Sequence, residues 1–291
     1  MYLGIDDTDS PDGMCTTYLG ALIAKRLSNE GCIIKRMRLI RLNPNVPWKT
    51  RGNAGVCIEL EGNVELIKQT VCEFIEKYAR FDCENTNPGF VLVSEKPPSD
   101  FYYCALTSFC TVEDAEAILQ QIGATYRGWK NRRGLIGSLA AVSAVLPDKT
   151  YEYLSYRLPE AFGTPRVFDA ESFKLSAVET APHTWDTWDF SADKAVCLPH
   201  GKDPVLYGIR GESPEWVEKA VSYLKSEPES FHVIWETNQG TDAHMLPFKG
   251  VFEEGRSYIY SGEVVGHPVE HRGGHVSVAL SDVECYAFEP T

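Results

Sequence analysis

The chain has 291 residues, 43% hydrophobic and 24% charged, with a formal net charge of −13. This is globular composition, long enough for two or three domains, and it excludes the uniformly basic surface of a generic nucleic-acid binder. No run approaches the roughly 18 apolar residues of a membrane span, and Met1–Ile5 leads straight into acidic residues, without the basic start and long apolar stretch of a signal peptide.

Residues 2–5 read as a short buried strand, closed by an acidic loop with Pro11 and Gly13 at its turns. A helix follows from about Thr17 to Asn29, with Leu19, Leu22, Ile23 and Leu27 on one face and Gly31 past its end. Lys35–Leu42 is extended, Asn43–Asn53 is a proline-containing loop, Val56–Leu60 is a strand and Val64–Tyr78 a helix. A turn at Asn85–Gly89 leads to strand Phe90–Val93. Thr111-Val112-Glu113-Asp114 approximates a capping box and opens a helix that Gly123 ends. Gly134–Leu146 alternates glycine, small and apolar residues, and predicts a buried helix closely packed on another element.

Further on, strand Val205–Ile209, a helix from Ser213-Pro214 to Lys225 and strand Phe231–Trp235 make a β-α-β unit, which points to a ferredoxin-like α+β domain. After Thr237, short alternating stretches at Ser257–Val265, His275–Leu280 and Glu284–Ala287 read as the first strands of a small barrel, too few to close a five-stranded one. On that count the chain is expected to be a truncated form. The nine cysteines form no C-x-x-C pair, and are read as reduced core residues of a cytoplasmic protein.

Chemistry concentrates at Gly4-Ile5-Asp6-Asp7-Thr8-Asp9-Ser10. Three carboxylates at the end of a buried strand are hard oxygen ligands of the kind Mg²⁺ takes in phosphoryl transfer. Gly13-Met14-Cys15-Thr16-Thr17 brings hydroxyls and a helix N-terminus to the same mouth, where amides and the helix dipole favour phosphate. An EF-hand starting at Asp7 is excluded, because Asp12 and Tyr18 stand where Gly and Glu are required. One of Thr16 and Thr17 is expected to cap the helix and the other to face the nucleotide; spacing does not say which. Asn43–Asn53 offers Trp48, Lys49 and Arg51 on a proline-stiffened loop, a mix that stacks a base and holds phosphate. A second basic group, Arg127, Lys130, Arg132 and Arg133, precedes the glycine-rich helix and fits a phosphate-facing helix start. With Lys35, Arg36, Arg38 and Arg41 these make two local basic tracts on an acidic body.

The strings Gly4–Ser10, Gly13–Gly20 and Arg41–Asn53 resemble the archaeal tRNA-Ile 2-agmatinylcytidine synthetase family, TiaS, as do Asp203–Gly211 and Thr237–His244. The resemblance spans the whole chain. It implies an enzyme that uses ATP, ending as AMP, to phosphorylate carbon 2 of the wobble cytidine of an isoleucine tRNA with a CAU anticodon, after which agmatine displaces the phosphate. It also implies a kinase-like catalytic domain with a phosphorylatable threonine, which by position is Thr16. The domain order it implies is catalytic, ferredoxin-like, OB barrel and zinc ribbon, with the last absent here.

These readings predict an α+β chain: an α/β kinase-like ATP-binding domain at 1–115, a ferredoxin-like domain at 116–245, and the start of an OB-type β-barrel at 246–291. Asp6, Asp7, Asp9 and Thr16 are the candidate catalytic residues, the three carboxylates also being the Mg²⁺ ligands. Thr8, Ser10, Thr17, Lys130, Arg132 and Arg133 are candidates for ATP, and Trp48, Lys49, Arg51 and Asp203 for substrate. Two other readings compete: a Mg²⁺-dependent kinase or phosphohydrolase acting on a small molecule, and a non-catalytic RNA-binding module.

Overall fold

The computed structural model describes residues 1–201, 203–270 and 276–281. Its first strand, β1 (Tyr2–Asp6), buries Leu3 and Ile5 in one apolar core while Tyr2 packs against another on the opposite face, as the two-residue period of a strand requires. Next come α1 (Thr16–Asn29), β2 (Ile33–Arg41), β3 (Ala54–Glu61), α2 (Val64–Tyr78), β4 (Gly89–Val93), α3 (Asp100–Thr107), α4 (Val112–Gln121), β5 (Thr125–Gly128) and α5 (Gly134–Ser143). Helices α1 and α2 cover the Leu3–Ile5 face of the sheet, and α3, α4 and α5 cover the other.

Helix α5 lies directly on the strands, as its small-residue composition predicts. A Cβ on Gly4 would stand 2.2 Å from the Ser138 carbonyl oxygen, and one on Gly55 2.7 Å from that of Gly137. Only residues without side chains permit this approach. The capping box at α4 is present in full, Thr111 and Asp114 each satisfying the other's backbone N–H. Helix α3 has no counterpart among the sequence expectations; its aromatic run Phe101-Tyr102-Tyr103 carries no helical period of its own.

The C-terminal half is built on β6 (Thr150–Arg157), followed by α6 (Ala170–Thr180), β7 (Thr184–Trp185), β8 (Trp188–Asp189), β9 (Lys194–Ala195), β10 (Val205–Gly211), α7 (Pro214–Tyr223) and β11 (Glu229–Thr237). Strands β10 and β11 both run antiparallel to β6, which lies between them. The β-α-β unit read from sequence is therefore a split one. Helices α6 and α7 pack over a third core around Phe173, Leu206 and Val217. β11 then joins β2 in parallel through Glu236↔Arg38 and Thr237↔Leu39, giving one nine-stranded sheet in the order β5-β4-β1-β3-β2-β11-β6-β10-β7. Tyr18 of α1 ties the halves together, packing on Tyr156 and Phe231 at ring-centroid distances of 5.3 and 5.9 Å.

The mixed α+β class holds, and a single sheet runs through both halves. Beyond residue 245, β12 (Met245–Pro247) pairs in parallel with β13 (Ser257–Ile259), and β14 (Val269–Glu270) pairs with β15 (Val276–Ser277). The predicted strand over Glu284–Ala287 lies outside the described residues. No helix among the described residues is long and apolar enough to cross a membrane.

Candidate active site

β1 ends by delivering Asp6 to the wall of a cavity of about 680 Å³, lined also by Asp7, Asp9, Thr16, Thr17, Trp48, Lys49, Arg51, Arg133 and Gly137. The chain turns sharply there. Asp7 has φ +59° and Met14 φ +65°, left-handed values that side chains other than glycine adopt at a cost of about 1 kcal/mol or more. Burial, then the adjacent Asp7 charge, raises the Asp6 carboxyl well above the ordinary range. Burial pushes Asp7 up to about 6 against the opposing pull of Arg133, whose Nη2 lies 3.5 Å from Asp7 Oδ2. Such crowding of partly desolvated carboxylates favours a cation or a proton between them.

Asp9 is engaged differently. Thr50 Oγ1 donates to its Oδ1 at 2.6 Å, and Arg51 approaches Oδ2 through Nε at 3.0 Å and Nη2 at 2.8 Å. This fastens the loop after β2 onto the acidic loop. Arg51 Nη2 also donates to the Met14 carbonyl, and the Met14 amide donates to Asp203 Oδ2 at 3.3 Å. The left-handed Met14 is thus held at both of its polar groups.

Neither threonine caps α1. The N-cap is Cys15, without a side-chain cap bond, and Thr16 and Thr17 are the first helical residues. Both are buried yet line the cavity. Thr16 Oγ1 accepts from the Thr8 hydroxyl at 3.0 Å and from the Thr8 amide at 3.4 Å, while Thr17 Oγ1 contacts Cys15 Sγ at 3.0 Å. Ser10 is buried and donates to the Gly13 carbonyl; like Thr8 it shapes the loop from behind the cavity wall.

Trp48 is 50% exposed at the mouth, its ring edge-on to Phe109 at 6.1 Å. Lys49 turns back onto the carbonyls of Pro44 and Val46. Of the second basic group only Arg133 reaches the cavity, bridging the Trp48 and Asn85 carbonyls at 2.9 and 2.7 Å. Lys130 Nζ donates to the carbonyls of Cys83 and Glu84, and Arg132 pairs with Glu116 at 2.9 Å; neither lines the cavity. The first tract is also committed to carboxylates: Lys35 to Glu61, Arg36 to Glu59 and Glu236, Arg38 to Glu236. The two basic tracts do not form an open basic face.

The cavity continues under the C-terminal half to Glu152 of β6 and Arg210 of β10, residues the sequence reading passed over. Glu152 is buried between Arg41 Nη2 at 2.9 Å and Arg210 Nε at 3.5 Å. Burial alone would raise its carboxyl; the two guanidiniums overcome this and hold it below the ordinary range. Cys15, Cys110 and Cys197 line the cavity while packing in or against the apolar cores. Cys104 is exposed and Cys83 belongs to none of the three cores, so describing the cysteines as core residues fails for these two. Among the described residues no three His, Cys, Asp or Glu side chains are grouped so as to hold a metal ion, so Asp6, Asp7 and Asp9 do not gather into the three-carboxylate site expected from sequence.

Two family models match the chain, the TiaS TCKD domain over residues 2–70 and the TiaS FLD domain over residues 132–244. The chain is 57% identical to the isoleucine-tRNA 2-agmatinylcytidine synthetase TiaS of Methanocorpusculum labreanum, over all of this chain and 72% of that protein. It is 44% identical to the TiaS of Methanosarcina acetivorans, with the same coverage. Among solved structures it resembles a complex of TiaS with its isoleucine tRNA and ATP, with a TM-score of 0.89 and 41% identity over 96% of this chain and 69% of that one. A complex of TiaS with the same tRNA, AMPCPP and agmatine matches with a TM-score of 0.88 and 40% identity, over 96% and 71% of the two chains.

Proposed function

The chain belongs to the TiaS family, and from that membership we propose that the cavity at the end of β1 is the active site of an isoleucine-tRNA 2-agmatinylcytidine synthetase. The protein is an ATP-dependent enzyme that joins agmatine to the wobble cytidine of an isoleucine tRNA. One observation carries the placement: β1, α1 and the loop after β2 bring carboxylates, helix-start hydroxyls and Arg51 to one cavity, which is the equipment phosphoryl transfer needs.

The C2 oxygen of cytidine is a poor leaving group until it is phosphorylated. We assign Asp6 and Asp7 to Mg²⁺. The donor set fits, because two crowded hard oxygens are raised by burial and Mg²⁺ against a triphosphate takes only one or two carboxylates. When bound, the ion neutralises phosphate charge. Asp9, already engaged by Thr50 and Arg51, holds Arg51 in place. Thr16 is the phosphorylatable hydroxyl: it accepts from the Thr8 hydroxyl and amide, so its own proton is not committed to that contact. Arg133 and the first-turn amides of α1 take phosphate, and Trp48 offers a face to a base. Lys130, Arg132, Thr8 and Ser10 support the loops from behind, and Asp203 fixes Met14.

The three-domain division is also carried here as a proposal, with one change. Because α5 packs on β1, β3 and β4, β5 pairs with β4 and α4 packs on α5, residues up to the end of α5 share the core of the kinase-like part. The boundary with the ferredoxin-like part is proposed after α5 rather than at residue 115, although the FLD match begins at residue 132. The stretch from 246 is taken as the start of an OB-type barrel. An enzyme of tRNA works where tRNA is, so we place it in the cytoplasm.

The test is incubation with γ-labelled ATP, Mg²⁺, agmatine and the tRNA transcript, followed by phosphosite mapping of the wild type and Thr16→Ala. Label on Thr16, with AMP and the β-phosphate released as inorganic phosphate by water, is expected, and loss of label and AMP in the variant. Agmatine incorporation by Thr16→Ala at the wild-type rate would reject the assignment of that hydroxyl.

A further inference from the structure

Between α3 and α4, two sulfurs are in contact, one of them on the cavity wall. Cys110 Sγ lies 3.1 Å from Cys104 Sγ. Cys104 sits in the last turns of α3 and is exposed, and Cys110 lines the cavity. Among the described residues no other two cysteine sulfurs touch. A disulfide requires about 2.05 Å, so closure asks the two sulfurs to move by about one ångström.

The main chain on both sides is already fixed. Ser108 N donates to the Cys104 carbonyl at 2.8 Å, Asn43 Nδ2 donates to the Ser108 carbonyl at 3.1 Å, and Thr111 is locked by its capping box with Asp114. Side-chain rotation can therefore supply the approach without unfolding either helix. Ser108, Phe109, Cys110 and Thr111 all line the cavity, and Phe109 is the ring that meets Trp48. Gly255 packs on the same ring, where a Cβ would stand 2.3 Å from Phe109 Cζ. Whatever fixes Cys110 also fixes the aromatic mouth.

We propose that Cys104 and Cys110 are a reversible disulfide-forming pair that restricts the cavity wall when oxidised and lowers turnover; the effect on turnover rests on the cavity being the active site. The oxidant is a small-molecule disulfide of the glutathione type. The exposed Cys104, as thiolate, attacks one of its sulfurs, forming a mixed disulfide and releasing one thiol. Cys110 loses its proton to solvent and attacks Cys104 Sγ, which forms the internal bond and releases the second thiol. Two protein thiols and one disulfide become one protein disulfide and two small thiols. Burial raises the Cys110 thiol above its ordinary range, so it is the resolving partner and Cys104 the attacking one.

The experiment is equilibration of the full chain in glutathione buffers of graded redox ratio, alkylation of remaining thiols, and peptide mass mapping, with agmatine incorporation assayed on the same samples. The expected result is a 2 Da loss localised to Cys104 and Cys110, reversed by dithiothreitol, with a several-fold fall in wild-type turnover that Cys104→Ser does not show. A stable glutathione adduct on Cys104 with Cys110 still alkylated would overturn the proposal. So would a bond to any other cysteine, or a formed Cys104–Cys110 bond with undiminished turnover. A fully reduced wild type without turnover would instead count against the functional reading, and the mass map would still decide the bond.

Discussion

A methyl group on Gly137 would stand 1.8 Å from Oδ2 of Asp6. The helix that roofs the sheet and the carboxylate that ends β1 thus occupy complementary space, and the position of the one sets the position of the other. Gly137→Ala must push Asp6 aside or lift α5. Overpacking of this kind costs about 1–3 kcal/mol, a loss a chain of this size survives. Displacing a catalytic carboxylate by about 1 Å costs on the order of 100-fold in rate. The expected outcome is a folded variant with cooperative melting and agmatine incorporation reduced by about that factor. Near-wild-type turnover would remove Asp6 from the chemistry.

Asp7 gives the fold a pH signature. Its folded value of about 6 exceeds the ordinary 3.8, so the fold prefers the neutral carboxyl. That preference contributes fully below about pH 4 and is lost as pH rises through 6. At about 1.4 kcal/mol per unit, ionised Asp7 costs the fold up to about 3 kcal/mol, on a side chain only 11% exposed. Asp7→Asn should melt higher than wild type at pH 7.5, and the gap should close below pH 4. Mg²⁺ with ATP should raise the wild-type melting temperature more than the variant's, since a bound cation offsets the same cost of burying the charged carboxylate. Parallel melting curves for the two proteins across this range would mean that Asp7 is not strained.

Much of this frame was legible in the sequence because its signals are local. The Thr111–Asp114 cap, the Val64–Tyr78 helix and the acidic loop each sit within one short window, and the structure keeps them where the spacing put them. The long family-resembling strings bracketed the cavity for the same reason. Three features were not legible. β6 carries Glu152 among Tyr151 and Tyr153, so its burial pattern is hidden by a charge whose partners, Arg41 and Arg210, lie far away in the chain. The β2–β11 junction rests on two register pairs between remote segments. Lys130 and Arg132 read as phosphate ligands by composition alone. Their left-handed backbones, φ +54° and +65°, belong to a tight turn that sends Lys130 to two carbonyls and Arg132 to Glu116, away from the cavity.

Glu152 gives a direct check on that hidden cluster. Removing one partner from a buried ion pair costs about 3–5 kcal/mol. Arg41 and Arg210 are 30% and 28% exposed and regain some hydration, which brings the expected loss for Glu152→Gln to about 2 kcal/mol at pH 7. Its carboxyl lies below the ordinary 4.5 in the folded protein. Its contribution is therefore present above that value and disappears as pH falls through the lower folded one. Denaturant titration at pH 7 and at pH 3 should show the variant's deficit shrinking. An equal deficit at both would point to packing rather than charge.

Trp48 separates a binding role from a purely structural one. Its ring is half exposed and its one aromatic neighbour among the described residues, Phe109, meets it edge-on, leaving a face available to an unstacked base. A base stacked on an aromatic ring contributes about 1–3 kcal/mol, equivalent to roughly 5- to 150-fold in affinity. Trp48→Ala is expected to raise the KM for tRNA or ATP within that span, with kcat changed less, and Trp48→Phe to recover most of the loss. Comparing the two KM values says which base the ring receives: a rise confined to ATP places adenine there, and one confined to tRNA places a nucleotide of the anticodon loop. If kcat falls while both KM values stay fixed, the ring does not bind substrate and serves to hold the Arg133 bridge to the Trp48 carbonyl. In that case Trp48→Phe, which keeps an aromatic packing surface at the same backbone position, should restore kcat without altering either affinity.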